Sequence, residues 1–147
     1  MEQFTIQKND FLSHDCTGYF HLYYVGYGQP GNPDYLNTLK NIFVSTHPDT
    51  LRAASRQAAA LMIQDIPQVM DAEGLNEAIL MAVPRSKSGM CNWQLGFKAA
   101  VRTTVKALQA DGLSVIDGTD FIFRHTSTKM THLRKPVSNF ENTGSEP

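Results

Sequence analysis

Ala78-Ile79-Leu80-Met81-Ala82-Val83 is an unbroken apolar run that opens directly into Pro84-Arg85-Ser86-Lys87-Ser88-Gly89, with helical patterns before and after it. A strand with one wet face alternates polar and apolar residues. A run that is apolar at every position predicts a strand buried on both faces of a parallel sheet. The fold class expected is therefore α/β: a central parallel strand over 78–83, flanked by helices at about 50–66 and 92–110. In open sheets of this class ligands bind at the carboxyl ends of strands, where the next helix offers free N–H groups and the positive end of its dipole. Here that end carries two cations, two hydroxyls and a glycine before the next helix starts near Asn92 or Trp93. Strand, cationic hydroxyl-rich loop and helix start suggest a phosphate or pyrophosphate site. An ordinary βα turn with solvated Arg and Lys is the alternative. A helical or edge-exposed 78–83 would remove the basis for a ligand site here.

At 147 residues, 41% of them hydrophobic and 18% charged, the chain fits one soluble domain with a core of ordinary size. That domain is expected over 1–140, with a polar, disordered tail at 141–147. No apolar run exceeds six residues, far below a membrane span. Met1-Glu2-Gln3-Phe4 does not resemble the start of a secretory signal. Cys16 and Cys91 lie far apart with no metal-ligand spacing and read as reduced thiols in a cytoplasmic protein. The net charge of −1 hides an asymmetry. Residues 1–83 hold nine acids against four cations, and residues 84–140 hold nine cations against Asp111, Asp117 and Asp120. Such a division concentrates anionic ligands on one side of a fold, but falls well short of the basic balance of a general nucleic-acid binder.

Along the chain, Phe4-Thr5-Ile6 predicts a short strand and Gly18 to Val25 a second, aromatic one in which His21 reads as structural. Asn32-Pro33 predicts a helix to about Phe43, and Thr46-His47-Pro48-Asp49 starts another that buries Leu51, Ala58, Met62 and Ile66. Pro67 is expected to kink or end that helix, and Asp71-Ala72-Glu73-Gly74 closes the segment. After the cationic loop, Trp93, Phe97, Ala100, Val101, Thr104 and Leu108 line one side of a helix. Lys98, Arg102 and Lys106 follow each other at spacings of four on the other side, the pattern of a solvated face. Asp111-Gly112 stops the helix, Leu113 to Ile116 predicts a short strand, Asp117-Gly118 a turn, and Phe121-Ile122-Phe123 a further strand.

Two cationic segments remain as candidate binding residues. Arg85, Ser86, Lys87 and Ser88 can together neutralise and hydrogen-bond a pyrophosphate, and Arg124, Thr128 and Lys129 offer the same chemistry from a second loop. His125 and His132 are separated by cations that repel a metal, so no metal site is expected. No serine stands in a G-x-S-x-G elbow, and no catalytic residue is assigned.

Leu80-Met81-Ala82-Val83-Pro84-Arg85-Ser86-Lys87, then Asn92 and Leu95, then Arg124, Thr128 and Thr131-His132-Leu133-Arg134, resemble in order the landmarks of a type I phosphoribosyltransferase. The subgroup most similar is the ComF-like, or amidophosphoribosyltransferase-like, bacterial proteins, over about residues 75–140. The resemblance implies that Arg85 to Ser88 hold pyrophosphate. It also implies that Arg124, Thr128 and Lys129 belong to a mobile loop that closes over phosphoribosyl pyrophosphate, and that Mg2+ would arrive with that substrate. The family's acidic strand, which ends in two acids ahead of a threonine- and glycine-rich turn, has no counterpart, since no Asp-Asp pair occurs in the sequence. The chain thus looks like the front portion of such an enzyme, a truncated product or one half of a split protein, with a second chain supplying the missing strands. A non-catalytic nucleotide- or phosphate-binding module, or an interaction protein with an exposed sheet edge, are the alternatives. The expected partner is a phosphorylated small molecule, with neither a membrane nor nucleic acid.

Overall fold

The computed structural model of the chain describes residues 1–23, 25, 30–40, 47–83 and 95–122. In chain order its elements are β1 (Glu2–Ile6), β2 (Cys16–Phe20), α1 (Asp34–Lys40), α2 (Pro48–Ala72), β3 (Ala78–Leu80), α3 (Gly96–Ala110) and β4 (Val115–Asp117). The fold is mixed α/β. Its described strands form an antiparallel pair, β1–β2, and a parallel pair, β3–β4.

α2 is the helix on which the rest is assembled. Its start is fixed locally: the His47 side chain accepts the Asp49 N–H at 3.3 Å, Pro48 fills the first helical position, and Asp49 faces the positive end of the dipole. Leu51, Ala54, Ser55, Ala58 and Ala59 form its buried face near the N-terminus. Three alanines in that set let neighbouring helices approach closely. Leu39 of α1 and Ala100 of α3 join them in one core cluster, with Tyr35, Met62 and Phe97 at its margin. A second cluster lies towards the sheet and consists of Met70, Val101, Val105, Leu108 and Val115, packed against Ile63, Ile66, Ala78, Leu80 and Leu113.

Pro67 does not end α2, which continues to Ala72. Proline removes one backbone bond, yet the turn beyond it carries Met70 into the second cluster. Burial of a methionine, worth about 1.5–3 kcal/mol, is of the size needed to offset that loss. The helix then closes at Glu73, with Gly74 at φ +63°, and α3 closes the same way at Asp111, with Gly112 at φ +88°.

α3 connects β3 to β4, so 78–117 form one βαβ unit with Ala78 opposite Val115, Ile79 opposite Ile116 and Leu80 opposite Asp117. The flanking helices and the parallel pairing agree with the sequence reading. Burial on both faces does not. Ala78, Leu80, Ala82 and Val115 point towards α2 and α3, whereas Ile79 (49% exposed), Met81, Val83 (90%) and Ile116 (43%) face outward. Among the described residues β3 has a strand neighbour on one edge only, and helices cover one face of the pair. An apolar run reports which residues avoid water, not which layer of the molecule covers them.

Two further expectations change. The second strand ends at Phe20 rather than Val25. α1 is described to Lys40, and the stretch to Phe43 expected to continue it lies outside the described residues. Phe121 and Ile122 form a turn and are exposed instead of making a strand; the Phe121 N–H donates to the Gly118 carbonyl at 3.0 Å, which closes the turn. The β1–β2 hairpin reaches α2 through polar contacts: the Tyr19 hydroxyl donates to Glu73, and His21 Nδ1 lies 2.9 Å from Asp65 Oδ2.

Candidate functional site

Parallel pairing brings the carboxyl ends of β3 and β4 to the same edge of the sheet. From that edge the chain leaves β3 towards Arg85–Ser88 and leaves β4 towards Arg124–Lys129. Arg85, Ser86, Lys87, Ser88, Arg124, Thr128 and Lys129 all lie outside the described residues. The tail at 141–147 and Cys91 do as well. The described chain at this edge consists of the two exits, 81–83 and 118–122.

The β4 exit is built from Asp117-Gly118-Thr119-Asp120. Gly118 N–H donates to the Leu80 carbonyl at 2.9 Å, which carries the ladder one residue past β4. A Cβ there would lie 2.6 Å from both Ile79 Cγ2 and Met81 Cγ and 3.3 Å from the Leu80 oxygen, so close approach requires glycine. Thr119 follows, 1% exposed. Its N–H donates to Asp117 Oδ1 at 2.9 Å and its Oγ1 accepts from Arg102 Nε at 3.0 Å. Asp120 receives Lys98 Nζ at 3.1 Å on one carboxylate oxygen and an Arg102 terminal nitrogen at 2.8 Å on the other. Arg102 Nε is also 3.7 Å from Asp117.

Lys98 and Arg102 therefore do not form the solvated stripe that their spacing suggests. They cross from α3 to the turn after β4, and only Lys106 of the three is fully exposed. The sequence signal for this was the position of the acids: of three in residues 84–140, two, Asp117 and Asp120, bracket the turn.

Both carboxyls sit below the usual carboxylate range. The Thr119 hydroxyl and N–H do most of this for Asp117, with Arg102 adding; Lys98 leads for Asp120, with Arg102 next. Groups lowered in the folded state contribute stability above their unfolded value and lose it as pH falls through the folded one. We expect the acid limb of a thermal-stability profile, below about pH 4, to be steeper for the wild type than for an Asp117→Asn, Asp120→Asn double variant. Identical limbs would show that the cluster is uncoupled from folding.

Among the described residues no group of three or more His, Cys, Asp or Glu is placed to hold a metal ion, and no helix is long and apolar enough to cross a membrane. No family model, curated protein or solved structure matches the chain.

Proposed function

We propose that the chain is a phosphoribosyltransferase-like protein that holds the pyrophosphate group of a phosphorylated small molecule, phosphoribosyl pyrophosphate in the best case, at the carboxyl edge of β3–β4. The observation that supports this reading is the parallel β3–α3–β4 crossover. It puts the described exits of the two strands, each of which leads on in sequence to one cationic segment, at one edge of one sheet. The exposed outer face of β3 takes away the support that a central strand would have lent, so the reading rests on the crossover and on the order of the sequence landmarks.

In this reading Arg85 and Lys87 neutralise the pyrophosphate, Ser86 and Ser88 donate hydroxyl hydrogen bonds, and Arg124, Thr128 and Lys129 approach from the second exit. Any Mg2+ enters bound to the substrate. With no paired-acid strand in the sequence to hold ribose and 5′-phosphate, we expect binding without turnover by this chain alone.

Calorimetric titration with inorganic pyrophosphate tests the reading. An Arg85→Ala, Lys87→Ala double variant is expected to bind on the order of 100-fold more weakly, from the loss of two charge-assisted contacts. In this reading the two cations are solvated when no ligand is bound, so the variant's thermal midpoint should barely move. Unchanged affinity, or a large drop in stability, would remove pyrophosphate from this loop.

One observation favours a second reading, that of an interaction protein: the wholly apolar outer face made by Ile79, Met81, Val83 and Ile116. The partner in that case is a second polypeptide that covers this face.

A further inference from the structure

The charge cluster at the β4 exit is more elaborate than a strut between α3 and a turn requires. The turn is already fixed without Asp120. Gly118 is bonded to Leu80, Thr119 is buried and bonded to both Asp117 and Arg102, and Phe121 closes back on Gly118. Asp120 adds no described contact to the turn other than its carboxylate bonds to Lys98 and Arg102, and its side chain is 74% exposed.

The two cations differ from it. The Lys98 side chain is only 18% exposed, and Asp120 is its one hydrogen-bond and ion-pair partner among the described residues. A largely buried ammonium needs an anion beside it. Arg102 is held in place independently by Thr119, with Asp117 nearby, and turns a terminal nitrogen to the same point as Lys98. Two cations, one largely buried and one held by Thr119, thus converge on a single exposed carboxylate. They do so at the carboxyl edge of parallel strands, where ligands of α/β sheets bind.

We infer that Lys98 and Arg102 form an oxyanion site that is filled here by the chain's own Asp120 carboxylate, and that a phosphate group displaces Asp120 from it. Exchange is favoured by charge, since a phosphate brings close to two negative charges and three acceptor oxygens where the carboxylate brings one charge and two. It is opened sterically by the position of Asp120, which can swing into solvent without breaking another described contact. This site is built from residues other than Arg85–Ser88 and does not rest on the pyrophosphate reading of that loop.

The test uses the full chain and titrates inorganic phosphate and, separately, ribose 5-phosphate at matched ionic strength. Asp120→Asn and Asp120→Ala remove the competing charge and are expected to tighten phosphate binding about tenfold or more, and adding Lys98→Gln should abolish that gain. The gain should persist in an Arg85→Ala, Lys87→Ala background. An equal gain for both probes identifies free phosphate as the group read, and a larger one for ribose 5-phosphate identifies a phosphorylated sugar. If the Asp120 variants bind phosphate no more tightly than wild type, Asp120 is a strut and the inference fails. If the gain survives Lys98→Gln but vanishes with Arg85 and Lys87, the anion belongs to the other loop. The inference then fails while the proposed function stands. Because Lys98 is largely buried and Asp120 carries its ion pair, thermal midpoints are recorded throughout. Tighter phosphate binding by an Asp120→Asn variant that still melts cooperatively supports the site even if Asp120→Ala does not fold.

Discussion

Replacing Leu108 with alanine is expected to destabilise the chain by about 2–5 kcal/mol, lowering the thermal midpoint by on the order of 10 °C. Leu108 is 1% exposed and stands on the last turn of α3, in the cluster that joins α2 to the β3–β4 pair through Met70, Val105 and Val115. The Leu113 N–H donates to the Leu108 carbonyl at 2.9 Å, which fixes the residue where the helix gives way to β4. Its side chain therefore fills a junction between elements held from three sides, where collapse around a cavity is least available. A domain has roughly 5–15 kcal/mol in total, so this loss is a large fraction of it. Ile79→Ala makes the comparison: Ile79 lies on the same small sheet but on its outer face, half in water. It is expected to cost less than about 1 kcal/mol, well below a buried deletion. Equal losses for the two variants, read by thermal or denaturant melts, would mean that both faces of the sheet are buried, and the one-layer arrangement would have to be given up.

What the sequence made legible follows from how local each signal is. The start of α2 is written in His47-Pro48-Asp49, and the buried face of α3 in the spacing of Ala100, Val101, Thr104 and Leu108; both were readable because capping and periodicity involve neighbours within a few turns. A parallel-sheet strand at 78–83 and a short strand at 113–116, with a helix between them, were readable; that they pair with each other is what the structure adds. The failures are tertiary. Of the two outcomes expected at Pro67, a kink or an end, the end does not occur, because Met70 on the following turn is packed in the core. The second face of β3 is apolar in sequence and exposed in structure, because what covers a strand is decided by other segments. Lys98 and Arg102 have the spacing of a solvated face, and only the return of the chain through Asp117 to Asp120 turns them inward. Of the candidate site itself, the residues 85–88, 124, 128 and 129 lie outside the described structure, and what bears on them is the shared edge from which their segments depart.

That outer face carries the other large expected effect. Ile79, Met81, Val83 and Ile116, with Phe121 and Ile122 beside them at the β4 exit, are all apolar and all exposed. They adjoin a strand with an unpaired edge among the described residues. Apolar faces and free strand edges both favour association with another chain. The wild-type chain alone is therefore expected to self-associate in a concentration-dependent way, seen by size-exclusion chromatography with light scattering. Ile79 and Ile116 are direct cross-strand partners, so an Ile79→Lys, Ile116→Glu double variant replaces an apolar pair with an opposite-charge pair that a sheet accepts. Removing two isoleucines from a buried interface forfeits about 3 kcal/mol or more, on the order of a hundredfold in the association constant. The variant should elute as a monodisperse monomer with a melting transition close to that of the wild type, since neither side chain reaches the α2–α3 side of the sheet. A wild type that is already monomeric at high concentration, or a double variant that associates as strongly, would assign the apolar face a cover from within the chain. The interaction reading would fall with it, while phosphate binding at the carboxyl edge would remain open to the titrations that test it.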